Sequence, residues 1–163
     1  MKYKGLILLV LISSGLFLVL LSQQIVGPKP KGVAEGLRAP DFKLYDSKGR
    51  EINLAKLKGK TVFVHFWASW CKECRAELPS LQRLYDRKKS DPDFVFLGIV
   101  YREDPVVSRQ YLEKNNLDIP IYVDPDGNTA SAFGVTGVPE TYIISPEGIV
   151  KKKVIGPGQW DNF

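Results

Sequence analysis

Two cysteines occur in 163 residues, Cys71 and Cys74, and only Lys72 and Glu73 separate them. They stand where one sequence pattern gives way to another. The run before them, Thr61-Val-Phe-Val-His-Phe-Trp67, is nearly continuously apolar, as a strand at the centre of a sheet covered on both faces must be. The run after them, Glu73-Cys-Arg-Ala-Glu-Leu-Pro-Ser-Leu-Gln-Arg-Leu-Tyr85, has helical spacing. A cysteine at this junction meets the unpaired N–H groups of a helix start and the positive end of its macrodipole. A thiolate is stabilised there, so the thiol pKa falls below the free value. The second cysteine, one turn further in, can reach the first and close a disulfide. Such a chain asks for reversible thiol–disulfide exchange.

Other uses of a Cys-x-x-Cys pair fail on arithmetic. A structural zinc site takes about four ligands, and the chain has two cysteines and one histidine. Haem attachment needs histidine directly after the second cysteine, where Arg75 stands. A purely structural disulfide usually closes a longer loop, for a larger entropic gain. No metal or organic cofactor is called for.

The start of the chain reads differently. Lys2 and Lys4 precede an apolar run from Leu6 to Leu21, and no charge falls between Lys4 and Lys29. A spanning helix needs roughly 17–25 such residues. Residues 1–26 are therefore expected to be an N-terminal membrane anchor or signal. An uncleaved anchor is favoured because no Ala-x-Ala type of site follows Leu21. The positive first residues set the N-terminus in the cytoplasm. The rest then lies on the extracytoplasmic or periplasmic side as a single-pass protein, where a disulfide persists. Gly27-Pro-Lys-Pro-Lys-Gly32 reads as exposed, so 27–35 is expected to be a linker. Residues 36–163 are one domain by size. The net charge of +5 is spread through Lys56-Lys58-Lys60, Arg83-Arg87-Lys88-Lys89 and Lys151-Lys152-Lys153. These read as solvated faces, and a nucleic-acid partner is not expected.

Within 36–163 the pattern is α/β. Ala39 to Tyr45, a turn at Asp46-Ser-Lys-Gly49, and Arg50 to Leu54 suggest an N-terminal β-hairpin. Thr61–Ala68 and Phe94–Val100 are buried strands. The helix after Cys71 carries Pro79, which removes one backbone bond and predicts a kink. Asp104 caps a helix with Pro105 at its first position. Ile119–Val123 is a short strand, Asn128–Phe133 a brief helix, and Tyr142 to Ile155 a closing hairpin. Together these predict a mixed central sheet flanked by helices.

Val64-His-Phe-Trp-Ala-Ser-Trp-Cys-Lys-Glu-Cys74, followed by Gly137-Val-Pro-Glu-Thr141, resembles a thioredoxin-fold protein. The front segment, Ala39-Pro-Asp-Phe42 to Leu57-Lys-Gly-Lys60, is similar to the membrane-anchored TlpA/ResA/DsbE branch. Within it, Arg75-Ala-Glu-Leu-Pro79 and Pro139-Glu-Thr141 most resemble DsbE, also called CcmG. The resemblance covers nearly all of 38–156. It implies a reductant of extracytoplasmic client proteins with a cysteine pair, above all apocytochrome c during cytochrome c maturation. It also implies an electron donor of the DsbD/CcdA kind in the membrane.

Three departures stand out. Lys72-Glu73 replaces a pair that in the family usually holds proline or little charge. His65 stands where thioredoxin has a buried acid and the branch often has asparagine. The chain stops at Trp160-Asp-Asn-Phe163 where the family begins a final helix, so either the product is truncated or one face of the sheet is expected to be less covered.

The candidate site residues follow. Cys71, at the helix start, is the nucleophile and the more exposed thiol. Cys74 is the resolving thiol. The resemblance implies a cis peptide bond at Val138–Pro139, facing the disulfide. The Val138 backbone is then free to pair with an extended client segment. Glu77 lies one turn beyond Cys74. Its residue type and spacing allow a surface carboxylate, and the family instead has an acid there that tunes the thiols. Glu140 has a similar case beside Pro139. Strand alternation puts Phe63, His65 and Trp67 on one face. His65 is either a hydrogen-bonded core histidine or a group that helps deprotonate Cys74. Trp67 and Trp70 read as packing residues, and Trp70 also offers an apolar contact to a bound peptide. A peroxiredoxin needs Pro-x-x-x-Thr-x-x-Cys, and Val64 and Ala68 stand at those positions. A thioredoxin-fold binding module without catalysis is opposed by the intact cysteine pair.

Overall fold

The computed structural model describes Tyr3 and residues 32–163. Apart from Tyr3, the anchor or signal expected over 1–26 lies outside the described residues, as does the linker up to Lys31. Among the described residues no helix is long and apolar enough to cross a membrane.

The elements are β1 (Lys43–Tyr45), β2 (Glu51–Asn53), a 3-10 turn (Leu54–Leu57), β3 (Thr61–Trp67), α1 (Lys72–Lys88), β4 (Phe94–Val100), α2 (Pro105–Lys114), β5 (Ile121–Val123), α3 (Asn128–Phe133), β6 (Glu140–Ile144) and β7 (Val150–Ile155). Seven strands form one sheet in the order β2-β1-β5-β4-β3-β6-β7. β3 runs parallel to β4 and antiparallel to β6, and β4 runs parallel to β5. The expected mixed α/β sheet of the thioredoxin fold is thus present, with the front hairpin as its β2-β1 edge.

Two successive crossovers in one direction, β3-α1-β4 and β4-α2-β5, must use the same face if both are right-handed. Accordingly Leu78, Leu81 and Leu84 of α1 and Leu112 of α2 pack with Phe63, Trp67, Phe96 and Val100. The opposite face carries Val62, Val64, Phe66, Leu97 and Ile99 against Phe133 of α3, Phe42 and Leu57. Gly98 is needed on the first face. A Cβ there would meet the Pro120 carbonyl oxygen at 2.6 Å. The chain leaves β3 between β4 on one side and β6 on the other, the kind of switch point where α/β sheets place their sites.

Two details differ from the sequence reading, and α1 runs as one element through Pro79. Packing begins before residue 36: Val33 is buried in the core and its N–H donates to the Phe133 carbonyl. The Gly36 N–H donates to the Val150 carbonyl, and Glu35 accepts from the Lys153 N–H. Residues 32–35 are therefore part of the domain, because their backbone finds partners along β7 and behind α3. The face expected to be less covered is closed by the segment after β7. Trp160 is buried there, edge-on to Phe63 with centroids 4.9 Å apart, and the Phe163 ring lies 5.5 Å from Phe63.

Candidate active site

Cys71 is the N-cap residue of α1, with extended backbone. Its Sγ accepts the Cys74 N–H at 3.1 Å, so one unpaired donor of the helix start already points at the sulfur. The two cysteines are joined as a disulfide, with Cα atoms 5.2 Å apart. The exposure expected for Cys71 is small in this state: 3% against 0% for Cys74. The difference in access is therefore slight, and the N-cap position is what separates the two sulfurs. Trp70 beside them is 57% exposed, and Lys72 and Glu73 face solvent. Trp70 is thus a surface residue and not the packing residue its type suggested; Trp67 is fully buried.

The Val138–Pro139 peptide bond is cis. The Val138 carbonyl oxygen lies 3.5 Å from Cys71 Sγ, so backbone from the β6 entry and the sulfur share one surface. A shallow cavity of about 290 Å³ adjoins the Val138–Pro139 bond, lined by Gly137, Glu140, Lys153 and Ile155 among others and by neither cysteine.

Beneath the dithiol lies a buried polar layer. Glu77 is 2% exposed, so it is no surface carboxylate. Its Oε2 accepts the Gly158 N–H and the Trp160 indole N–H, both at 2.8 Å. Its Oε1 has no hydrogen-bond partner among the described residues and lies 3.6 Å from His65 Nε2, which has none among them either. The other ring nitrogen, Nδ1, is 2.8 Å from Thr141 Oγ1. The register explains this contact, since His65 sits opposite Thr141 in β6 and opposite Gly98 in β4. Burial pushes Glu77 up to about 6, against the opposing pull of the Gly158 and Trp160 donors. Burial alone pushes His65 down to about 3, which keeps it neutral. A carboxyl group near 6 can accept and return a proton close to neutral pH.

Glu140 is not part of this layer. Side chains alternate along β6, and Glu140 shares its face with Tyr142 and Ile144 while Thr141 and Ile143 point toward α1. Glu140 Oε1 accepts from the Tyr142 hydroxyl at 2.5 Å and pairs with Lys153 Nζ at 3.0 Å. The adjacency to Pro139 in sequence thus places it across the sheet from His65 and Glu77.

Four residues of the site were not singled out from sequence. Trp160 and Gly158 come from the last segment, Thr141 from the strand register, and Glu103 from the loop after β4. Glu103 accepts from the Ser69 N–H at 3.0 Å and the Ser69 hydroxyl at 2.6 Å, and also from the Ser108 hydroxyl. It thereby ties the loop carrying Trp70 and Cys71 to the start of α2. An acid just before the Asp104 cap was the only hint available.

A sulfur pair closed as a disulfide at a helix start, with the Val138 carbonyl beside it, is a site for thiol–disulfide exchange. The molecule is a thioredoxin-fold thiol–disulfide oxidoreductase. Residues 36–153 match the AhpC/TSA family, and the chain belongs to that family. It is similar to the thiol-disulfide oxidoreductase ResA of Bacillus subtilis (strain 168), 33% identical over 126 residues, which are 77% of this chain and 70% of ResA. Among solved structures it resembles StoA from Bacillus subtilis, with TM-score 0.65 and 26% identity over 76% of this chain and 93% of StoA. It also resembles a thioredoxin-family thiol:disulfide interchange protein from Chlorobium tepidum TLS, with TM-score 0.66 and 27% identity over 80% of this chain and 95% of the other.

Proposed function

We propose that this oxidoreductase works as a reductant of client proteins outside the cytoplasmic membrane, held there by residues 1–26. Its preferred client carries a closely spaced cysteine pair, as apocytochrome c does, and a membrane donor of the DsbD/CcdA kind re-reduces it. The observation that carries the reading is Cys71 at the N-cap, with the Cys74 N–H on its sulfur and the Val138 carbonyl alongside.

In the dithiol form the Cys71 thiolate attacks one sulfur of the client disulfide. A mixed disulfide forms and the first client sulfur leaves as a thiolate. Cys74 gives its proton to Glu77 and attacks Cys71 Sγ. The Cys71–Cys74 bond closes and the second client thiol is released. Two electrons pass to the client, and the protons lost by Cys71 and Cys74 end on the two client thiols. Glu77 is the tuning acid of the second step.

Trapping tests the reading. The Cys74→Ala variant should hold its client covalently at Cys71, and the captured proteins should be apocytochromes released by a reductant. Capture of some other set of cysteine-pair proteins would retain the oxidoreductase and discard the cytochrome client. A redox potential near −120 mV, that of a strong oxidant, would discard the reducing role.

A further inference from the structure

The contact between His65 and Glu77 has an unusual property. Two buried polar atoms, Nε2 and Oε1, face each other at 3.6 Å, and neither has another partner among the described residues. Every other polar atom of the pair is already engaged. Oε2 is held by two N–H donors and Nδ1 by a hydroxyl. Leaving a buried polar atom unpaired costs more than making its bond gains. A small approach would bring Nε2 and Oε1 into hydrogen-bond range, and one proton must then lie between them.

Which atom carries that proton depends on Glu77. If Glu77 is ionised, Oε1 can only accept, so Nε2 must hold the imidazole proton. If Glu77 is protonated at Oε1, it donates, so Nε2 must be bare and Nδ1 must hold the proton. The partner of Nδ1 has to reverse with it. Thr141 can do this, because a hydroxyl both donates and accepts. A lysine or a second carboxylate in its place could not.

We propose that His65 and Thr141 form a tautomer switch behind the dithiol, which satisfies Glu77 equally in its protonated and its ionised state. The imidazole carries one proton in both states and stays neutral. Only the nitrogen that holds the proton changes, and the Thr141 hydroxyl turns from donor to acceptor when Glu77 gains its proton. His65 is thus a positioning residue that acts through Glu77. It leaves Glu77 a hydrogen-bond partner both while it holds the proton from Cys74 and after it returns it. The inference rests on Glu77 taking that proton, the reading given above.

The surroundings leave Glu77 little else to answer to. The titratable group against it is His65 on β3, and Cys74 stands one turn before it on its own helix. β6 contributes Thr141, and the last segment contributes the neutral donors Gly158 and Trp160. Asp161 of that segment is turned outward to Arg83 at 2.6 Å.

The test needs no substitution. The full chain, reduced to the dithiol and labelled with 15N-histidine, is followed by long-range 1H–15N spectra across about pH 4–8. Its single histidine makes the signal unambiguous. The expected result is the Nδ1–H tautomer at the acid end and the Nε2–H tautomer at the alkaline end, with a midpoint that matches the Glu77 carboxyl titration followed by 13C. One tautomer throughout, while Glu77 titrates, overturns the switch.

Two variants separate this failure from failure of the underlying reading. Glu77→Gln should remove the tautomer change and also the acid limb of the dithiol exchange rate. If that limb survives in Glu77→Gln, Glu77 is not the acid and both readings fall. His65→Phe takes a donor from the ionised carboxylate and an acceptor from the protonated carboxyl, so the limb should move by no more than a few tenths of a pH unit. An upward move of about one pH unit in a folded His65→Phe, as loss of a donor to the ionised form alone would give, overturns the switch alone.

Discussion

Trp160 donates its indole N–H to Glu77 Oε2 at 2.8 Å, across 83 residues of chain. The same ring lies edge-on to Phe63 of the central strand. One side chain therefore closes the hydrophobic face of the sheet and holds the acid behind the dithiol.

Trp160→Ala should show both duties. Removal of a large buried aromatic costs about 3–5 kcal/mol, read from urea unfolding of the oxidised protein. Trp160→Phe should retain most of that stability while the Glu77 limb of the exchange rate moves upward, because the ionised carboxylate loses one of two donors. A loss below about 1 kcal/mol in Trp160→Ala would show that the last segment does not seal the sheet.

Stability against pH should carry the signature of the Glu77–His65 pair. Folding raises Glu77 from 4.5 to about 6, so the folded state holds a proton that the unfolded state has lost between those values. Taken alone, this makes stability fall as pH rises from 4.5 to 6. Folding lowers His65 from 6.5 to about 3, so the unfolded state holds the extra proton over that span. Taken alone, this makes stability fall as pH drops below 6.5. Between about 4.5 and 6 the two opposing slopes cancel. In Glu77→Gln only the histidine slope remains, up to about 1.4 kcal/mol per pH unit. Unfolding of wild type and Glu77→Gln at several pH values checks this. Parallel curves through the window would contradict it.

Glu140→Gln should separate structure from tuning. The Glu140 carboxylate bonds the Tyr142 hydroxyl and Lys153 on the face away from His65. Loss of the ion pair should destabilise the fold by about 1–3 kcal/mol. The pH dependence of dithiol exchange should stay that of wild type. A displaced acid limb would place Glu140 in the tuning set after all.

The two thiols should differ in reactivity more than in exposure. Cys71 receives the Cys74 N–H, and Cys74 is sealed by α1 and β3. In the folded dithiol, iodoacetamide should modify Cys71 well before Cys74, as mass spectrometry of timed digests would show. If Cys74 reacts first, the roles of nucleophile and resolving thiol must be exchanged.

The sequence by itself determined the elements and the chemistry. Short apolar runs rich in β-branched and aromatic residues read as central strands, the Asp104-Pro105 pair reads as a helix start, and two cysteines flanking Lys72-Glu73 at a strand-to-helix junction leave little but thiol exchange. These are local properties, set within a few residues of chain. That His65 shares a face with Phe63 and Trp67 was also legible, because alternation along one strand is local. What surrounds His65 was not. Thr141 reaches it through the pairing register of β3 with β6, and no short pattern encodes a register. The same register sends Glu140 to the far face, although it adjoins Pro139 in sequence. Trp160 and Gly158 meet Glu77 only because the segment after β7 folds back across the sheet. Burial of Glu77 follows from that return, and with it the rise of its pKa. A charged residue at helical spacing carries no mark of whether water or protein will cover it, and only the packed tertiary structure decided which.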